Sequence, residues 1–255
     1  MSEVKYDVFA PKTRADWFIT TTGMIRKNFC NWTKDGDFPL PGVHVCVFGI
    51  YNEKYDRLAE LAEPNWDAYC RLHGYAFRLY PGGYHEDPTK PETFGDKSKF
   101  RYFYDMWALF DIIAFVDIDS VFVDMEPQIE YILGRNQFLW TYGEGGPMSG
   151  LMIARTNTIV EKHLRHAYEY AAVNNNVRHG KIEPNGISDQ DAMKALMHVP
   201  PFSQTFGNCV DAESIGFCFP DTKNPRPWIV SAKGGDLENK IAALTPWLTR
   251  TTQPA

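Results

Sequence analysis

Five apolar residues, Ile112 to Val116 (IIAFV), run without interruption into Asp117-Ile118-Asp119. Continuous rather than alternating apolar character predicts a strand covered on both faces, as at the centre of an α/β sheet. In an extended segment residues i and i+2 point the same way, so both carboxylates are expected on one side of the strand's C-terminal end. That end of an open parallel sheet is where ligand crevices form. Two carboxylates so close together repel, and a hard divalent cation is the usual relief. The plain alternative is that Asp follows strands as a turn former and helix cap.

The flanking sequence predicts an α/β fold around this strand. Val43 to Ile50 (VHVCVFGI) reads as a second buried strand. Glu53 to His73 carries apolar residues at helical spacing with a kink or restart expected at Pro64, and Tyr75 to Tyr80 returns to strand, which completes a βαβ unit. Pro81 to Gly95 is a polar loop, and Asp96 to Phe110 a helix with Phe100, Phe103, Met106, Trp107 and Phe110 on one face. Strands are expected at Phe138 to Tyr142 and Leu151 to Ala154, and helices at Thr158 to Val173 and Asp189 to His198. With 255 residues, 44% of them hydrophobic, and no composition break, the chain reads as a single domain over 1–255. Residues 1–40 pack onto it and 200–255 form a loop-rich C-terminal part.

Charge and cysteine usage narrow the functions. The 26 basic and 32 acidic residues give a net charge of -6, which argues against a nucleic-acid partner. No basic flank leads into an apolar stretch at the N-terminus and no segment approaches the ~18 apolar residues of a membrane span. A soluble, cytoplasmic protein with no transmembrane segment is expected. The five cysteines are an odd number without metal-ligand spacing, so reduced, structural thiols are predicted. Asn31-Trp32-Thr33 matches a glycosylation triplet that has no secretion signal to give it meaning.

The stretch KFRYFYDMWALFDIIAFVDIDSVFVD resembles the core of GT-A-type nucleotide-sugar glycosyltransferases, whose hallmark is the D-x-D motif. Other pieces fit in the same order across about Val43 to Leu196. The early strand ending in Ile50-Tyr51-Asn52 resembles the family's nucleotide-binding first strand, and YCRLHGYAFRLY its first helix and second strand. GPMSGLMIARTN resembles the small-residue turn and strand bearing Ser149-Gly150, and SDQDAM the acidic helix start that faces the sugar. The resemblance implies a single GT-A-like (Rossmann-like) domain with a mostly parallel central sheet flanked by helices. It also implies transfer of a hexose or pentose from a nucleoside-diphosphate sugar, a UDP-sugar above all, to a carbohydrate acceptor. Asp117 is then expected near the ribose and in the metal site, and Asp119 on Mn²⁺ (or Mg²⁺) bridging the diphosphate.

The other donor-binding candidates each carry a plainer reading. Lys99 and Arg101, one helix upstream, either place fixed charge near the phosphates or form a solvated helix face. Asp189, Gln190 and Asp191 start a helix behind Ser188. They either cap it or place Gln190 on the donor and an acid at the sugar, as hydroxyl-binding group or as base toward the acceptor. Glu144, in a Gly-rich segment, is a second catalytic candidate. One departure from the family pattern stands out: the late H-x-x-G segment corresponds here to Ser231-x-x-Gly234, without a histidine, and Lys233 is placed to approach the diphosphate instead. His44 and His73 read as structural. A haloacid-dehalogenase-type Mg-dependent phosphohydrolase with Asp117 as nucleophile is the rival reading of IAFVDIDSVF, and non-catalytic nucleotide-sugar binding a third. A complete βαβ unit ahead of the motif argues against the rival.

Overall fold

The computed structural model describes residues 43–81, 98–143, 146–173, 176–178, 181–183, 188–232 and 234–251. Segment 1–40 and most of the Pro81 to Gly95 loop lie outside them. Among the described residues the chain runs β1 (Val45–Tyr51), α1 (Asp56–His73), β2 (Ala76–Pro81), α2 (Ser98–Met106), β3 (Ile112–Val116) and β4 (Ser120–Phe122). It continues through α3 (Ile129–Leu133), β5 (Phe138–Gly143), β6 (Gly146–Arg155), α4 (Thr158–Val173), β7 (Asn176–Arg178) and β8 (Lys181–Glu183). The last part holds α5 (Asp189–Leu196), α6 (Ser203–Phe206), β9 (Cys209–Asp211), β10 (Phe217–Cys218), β11 (Ile229–Ser231) and α7 (Leu237–Thr251).

The central sheet has six strands in the order β2-β1-β3-β6-β5-β9. β1 pairs parallel with both β2 and β3, and β5 with β9, whereas β6 is antiparallel to both β3 and β5. Five strands therefore run one way and β6 alone runs back. Because β6 enters at the edge where β3 ends, Ser149 and Gly150 arrive beside Asp117.

Burial follows the pleat. Along β3, Ile112, Ala114 and Val116 face one core with α1, β4, β11 and α7, while Ile113 and Phe115 face the other with α2, α4 and α5. All five residues are at most 1% exposed, which is why the run carries no polar alternation. The small sheet β10-β11-β4 covers the first face. α1 runs through Pro64 without a break because the proline lies on its exposed side, where water can serve the carbonyl that the missing N–H leaves over. Gly74 ends the helix at φ 72°, a left-handed conformation that favours glycine. The C-terminal part is less loop-rich than its prolines and glycines suggest, since residues 237–251 form a helix whose Leu244 and Trp247 are buried in the first core.

α1 is pinned to the strand that follows the D-x-D segment. The buried Asn65 amide donates to Phe122 O at 2.8 Å and its carbonyl accepts from Phe122 N–H at 2.7 Å. Asn65→Ala orphans both backbone groups and is expected to cost about 3 kcal/mol in denaturant unfolding. A loss under about 1 kcal/mol would mean that water replaces the amide.

The described cysteines Cys46, Cys70, Cys209 and Cys218 are free. Burial pushes the Cys46 thiol up to about 12 and that of Cys209 to about 11, so both behave as packing groups at neutral pH. No helix among the described residues is long and apolar enough to cross a membrane.

Candidate functional site

Four of the candidate residues converge at the C-terminal tip of β3. Lys99, in the first turn of α2, is 5% exposed, so the solvated-face reading does not hold for it. Its Nζ lies 3.2 Å from Asp117 Oδ1, 3.3 Å from Asp189 Oδ2, 3.3 Å from Ser149 Oγ and 3.4 Å from Ser149 O. The Phe115 ring centre is 4.5 Å away on the apolar side. One buried ammonium thus joins the starts of α2 and α5, the end of β3 and the strand β6. Asp189 is 1% exposed and meets the ammonium out of contact with water, while the Asp117 side chain is 38% exposed and faces outward. Gly150 makes room: a Cβ there would lie 3.1 Å from Asp117 Oδ2 and 3.4 Å from the Phe217 ring.

Asp119 belongs to a different arrangement. The chain leaves the strand at Asp117 and turns at Ile118-Asp119, so the same-side geometry expected of an extended segment is replaced by two carboxylates held by two lysines. Asp119 Oδ2 forms a salt bridge with Lys240 of α7, and its Oδ1 is 3.5 Å from Ser231 Oγ. Its carbonyl accepts from Ala232 N–H at 2.7 Å, which fixes the turn against β11. Burial works to lower the Lys240 pKa, but the Asp119 carboxylate, with Tyr55 and Asp117 behind it, more than offsets this and holds the proton more firmly than in a free lysine.

The remaining candidates separate. Ile50 and Tyr51 end β1 and Asn52 caps the turn Glu53–Tyr55, its carbonyl accepting from Lys54 N–H at 3.2 Å. Gln190 sits half-buried in the first turn of α5. Asp191 is a capping residue: Ser188 Oγ–H donates to Asp191 Oδ2 at 2.9 Å and accepts from Asp191 N–H at 3.1 Å. Asp191→Ala should therefore cost about 1 kcal/mol in a melting curve. A melting curve unchanged by the substitution would mean that the Ser188 contact adds nothing to the cap. Glu144, Lys233 and the side chain of Arg101 lie outside the described residues. His44 N–H bonds Asp111 and a His73 ring nitrogen bonds Met125 O at 2.7 Å, both tying elements together as expected.

No protein-family model matches the sequence, and no curated protein matches it either. Comparison of structures gives a different result. A glycosyltransferase involved in the glycosylation of the major capsid of PBCV-1 superposes with a TM-score of 0.56, at 11% identity, over 79% of this chain and 99% of that one. The chain has a GT-A-type fold. The galactosyltransferase LgtC, solved with donor and acceptor sugar analogues, aligns at 11% identity with a TM-score of 0.42 over 82% of this chain and 97% of that one.

Two neighbouring carboxylates at the end of a central strand suit a divalent cation by their charge, and the donor set around Asp119 does not fit one. Ser231 turns its hydroxyl toward Asp119, and the carboxylate is already taken by an ammonium. Asp117 is committed to Lys99. Among the described residues no group of three or more His, Cys, Asp or Glu side chains could hold a metal ion. A hard cation prefers several oxygen ligands and is repelled by a lysine at contact distance.

Beside the motif opens a cleft of about 850 Å³ whose walls include Tyr142, Asp211, Glu213, Phe217, Asp221 and Lys240. Phe217 links it to Gly150 and so to Asp117. Sequence reasoning missed Lys240 and the acidic wall. The only available signal for Lys240 was the helical spacing of Ile241, Leu244, Trp247 and Leu248 around it.

Proposed function

We propose that this chain is a glycosyltransferase that moves a sugar from a nucleoside-diphosphate sugar, of the UDP class, to a carbohydrate acceptor. The observation that carries the reading is the pair of lysine-held carboxylates at the C-terminal end of the central strand, opening directly on a cleft large enough for a sugar. Departure of a nucleoside diphosphate develops negative charge at the leaving oxygen, and preorganised positive charge in a partly dry site stabilises it. The partly exposed Asp117 carboxylate is placed to accept hydrogen bonds from ribose hydroxyls, while Lys99 and Asp189 hold it in position from beneath. The cleft wall, with Tyr142 and acidic side chains, suits a polyhydroxyl acceptor, since carboxylates accept from sugar hydroxyls and an aromatic face covers a pyranose ring.

Mass spectrometry of mixtures of the chain, a panel of nucleotide sugars and oligosaccharide acceptors tests this. An acceptor heavier by one glycosyl unit, with release of nucleoside diphosphate, is the expected product. Free inorganic phosphate would instead favour the phosphohydrolase reading, and intact donor in every mixture a binding protein.

A further inference from the structure

We infer that Lys240 supplies, at the leaving-group side of the site, the positive charge that the D-x-D motif otherwise takes from a divalent cation, so that donor binding here is independent of metal. The inference rests on the proposed reading that the donor is a nucleoside-diphosphate sugar. Three features of the chain lead to it.

The first is placement. Lys240 lies in the first turn of α7, where Asp236 caps the helix: its carboxylate accepts from Asn239 N–H at 2.9 Å and its carbonyl from Lys240 N–H at 3.1 Å. A cation in the first turn is opposed by the positive end of the helix dipole. Something outside the helix must hold the ammonium there, and that partner is Asp119. The second is the surroundings. Asp119 and Lys240 side chains are each 14% exposed, and Lys240 lines the cleft, so the pair is mostly buried yet open on the side where a donor would lie. An ammonium has three donors, and the carboxylate engages it from one side. The Tyr55 ring, 5.7 Å from Nζ, closes another side and favours the charged form. The third is the side chain opposite. Ser231, whose Oγ is 3.5 Å from Asp119 Oδ1, offers that carboxylate a neutral hydroxyl, and Lys240, nine residues further on, brings the positive charge to it.

A lysine in this position gives Asp119 a new role. It is a positioning residue that orients the ammonium, and the ammonium is the group that meets the diphosphate. An ammonium contact to phosphate oxygen is a charge-assisted hydrogen bond, strong enough to replace part of what a cation bridge provides.

The test is calorimetric titration of the full chain with UDP, in EDTA and again with Mn²⁺, for the native protein and for Lys240→Met, Lys240→Arg and Asp119→Ala. Each variant is first checked by its melting curve. The native chain should bind UDP in EDTA, and Mn²⁺ should change the affinity by no more than about twofold. Lys240→Met should weaken binding about tenfold or more, the scale of one charge-assisted hydrogen bond. Lys240→Arg should recover most of that loss. Native binding that appears only with Mn²⁺, or Lys240→Met binding equal to native in EDTA, overturns the role of Lys240 and leaves the transferase reading standing. No UDP binding under either condition removes the nucleotide-sugar reading itself, and the inference falls with it. If Lys240→Met fails to fold, Asp119→Ala decides, because freeing the ammonium from its orienting partner should also weaken UDP binding in EDTA, and unchanged binding overturns the inference.

Discussion

Lys99→Met is expected to lower the free energy of unfolding by about 3–5 kcal/mol, the usual cost of removing one partner of a buried ion pair. The two carboxylates it serves do not share the cost equally. Asp117 is 38% exposed on its side chain and can turn to water, whereas Asp189, at 1%, cannot. The penalty therefore resides mainly at Asp189. Two consequences can be measured by urea denaturation. Asp189→Asn added to Lys99→Met should recover a large part of the lost stability, because it removes the buried charge and keeps a similar shape. Asp117→Asn added to Lys99→Met should recover little. Equal recovery from both would mean that the charges are pooled rather than localised. UDP affinity of Lys99→Met, measured where the protein remains folded, should also fall, since Asp117 loses the contact that fixes it.

Trp66→Ala is the second large effect, at about 3–5 kcal/mol. The Trp66 side chain is fully buried in the first core, edge-on to Phe77 and Phe122 with ring centres 6.0 and 6.1 Å away. Its Nε1–H donates to Ser120 O at 2.8 Å, one residue beyond Asp119. Truncation thus opens a cavity and also orphans a carbonyl beside the motif. Trp66→Phe separates these terms: it keeps most of the apolar contact and should lose only about 1–2 kcal/mol, from the missing hydrogen bond and the smaller ring. If Trp66→Phe were as damaging as Trp66→Ala, the hydrogen bond and not the packing would dominate.

The sequence made the central strand legible because IIAFV is buried on both faces, and that leaves an unmistakable apolar run. Ser149-Gly150 and the acidic start of α5 were legible from local chemistry, a small-residue turn and an N-cap. What periodicity could not decide was the fate of Lys99, since a lysine early in an amphipathic helix reads as solvated until the antiparallel β6 and the start of α5 are known to close over it. The pairing of Asp119 was hidden for two reasons. The i, i+2 rule fails once the chain turns at Ile118, and the partner lies in a C-terminal stretch where Gly234, Gly235 and Pro246 mask a helix. Pro246 is exposed and is accommodated in α7, as Pro64 is in α1. In both cases a proline on the solvent side interrupts the pattern more than it interrupts the helix.

A crystal structure of the chain with UDP tests the placement of the donor most directly. The diphosphate is expected at the tip of β3, within hydrogen-bond distance of Lys240 Nζ, and the ribose on Asp117. UDP bound away from the Asp117–Asp119 turn, with the Lys240–Asp119 pair untouched, would contradict it.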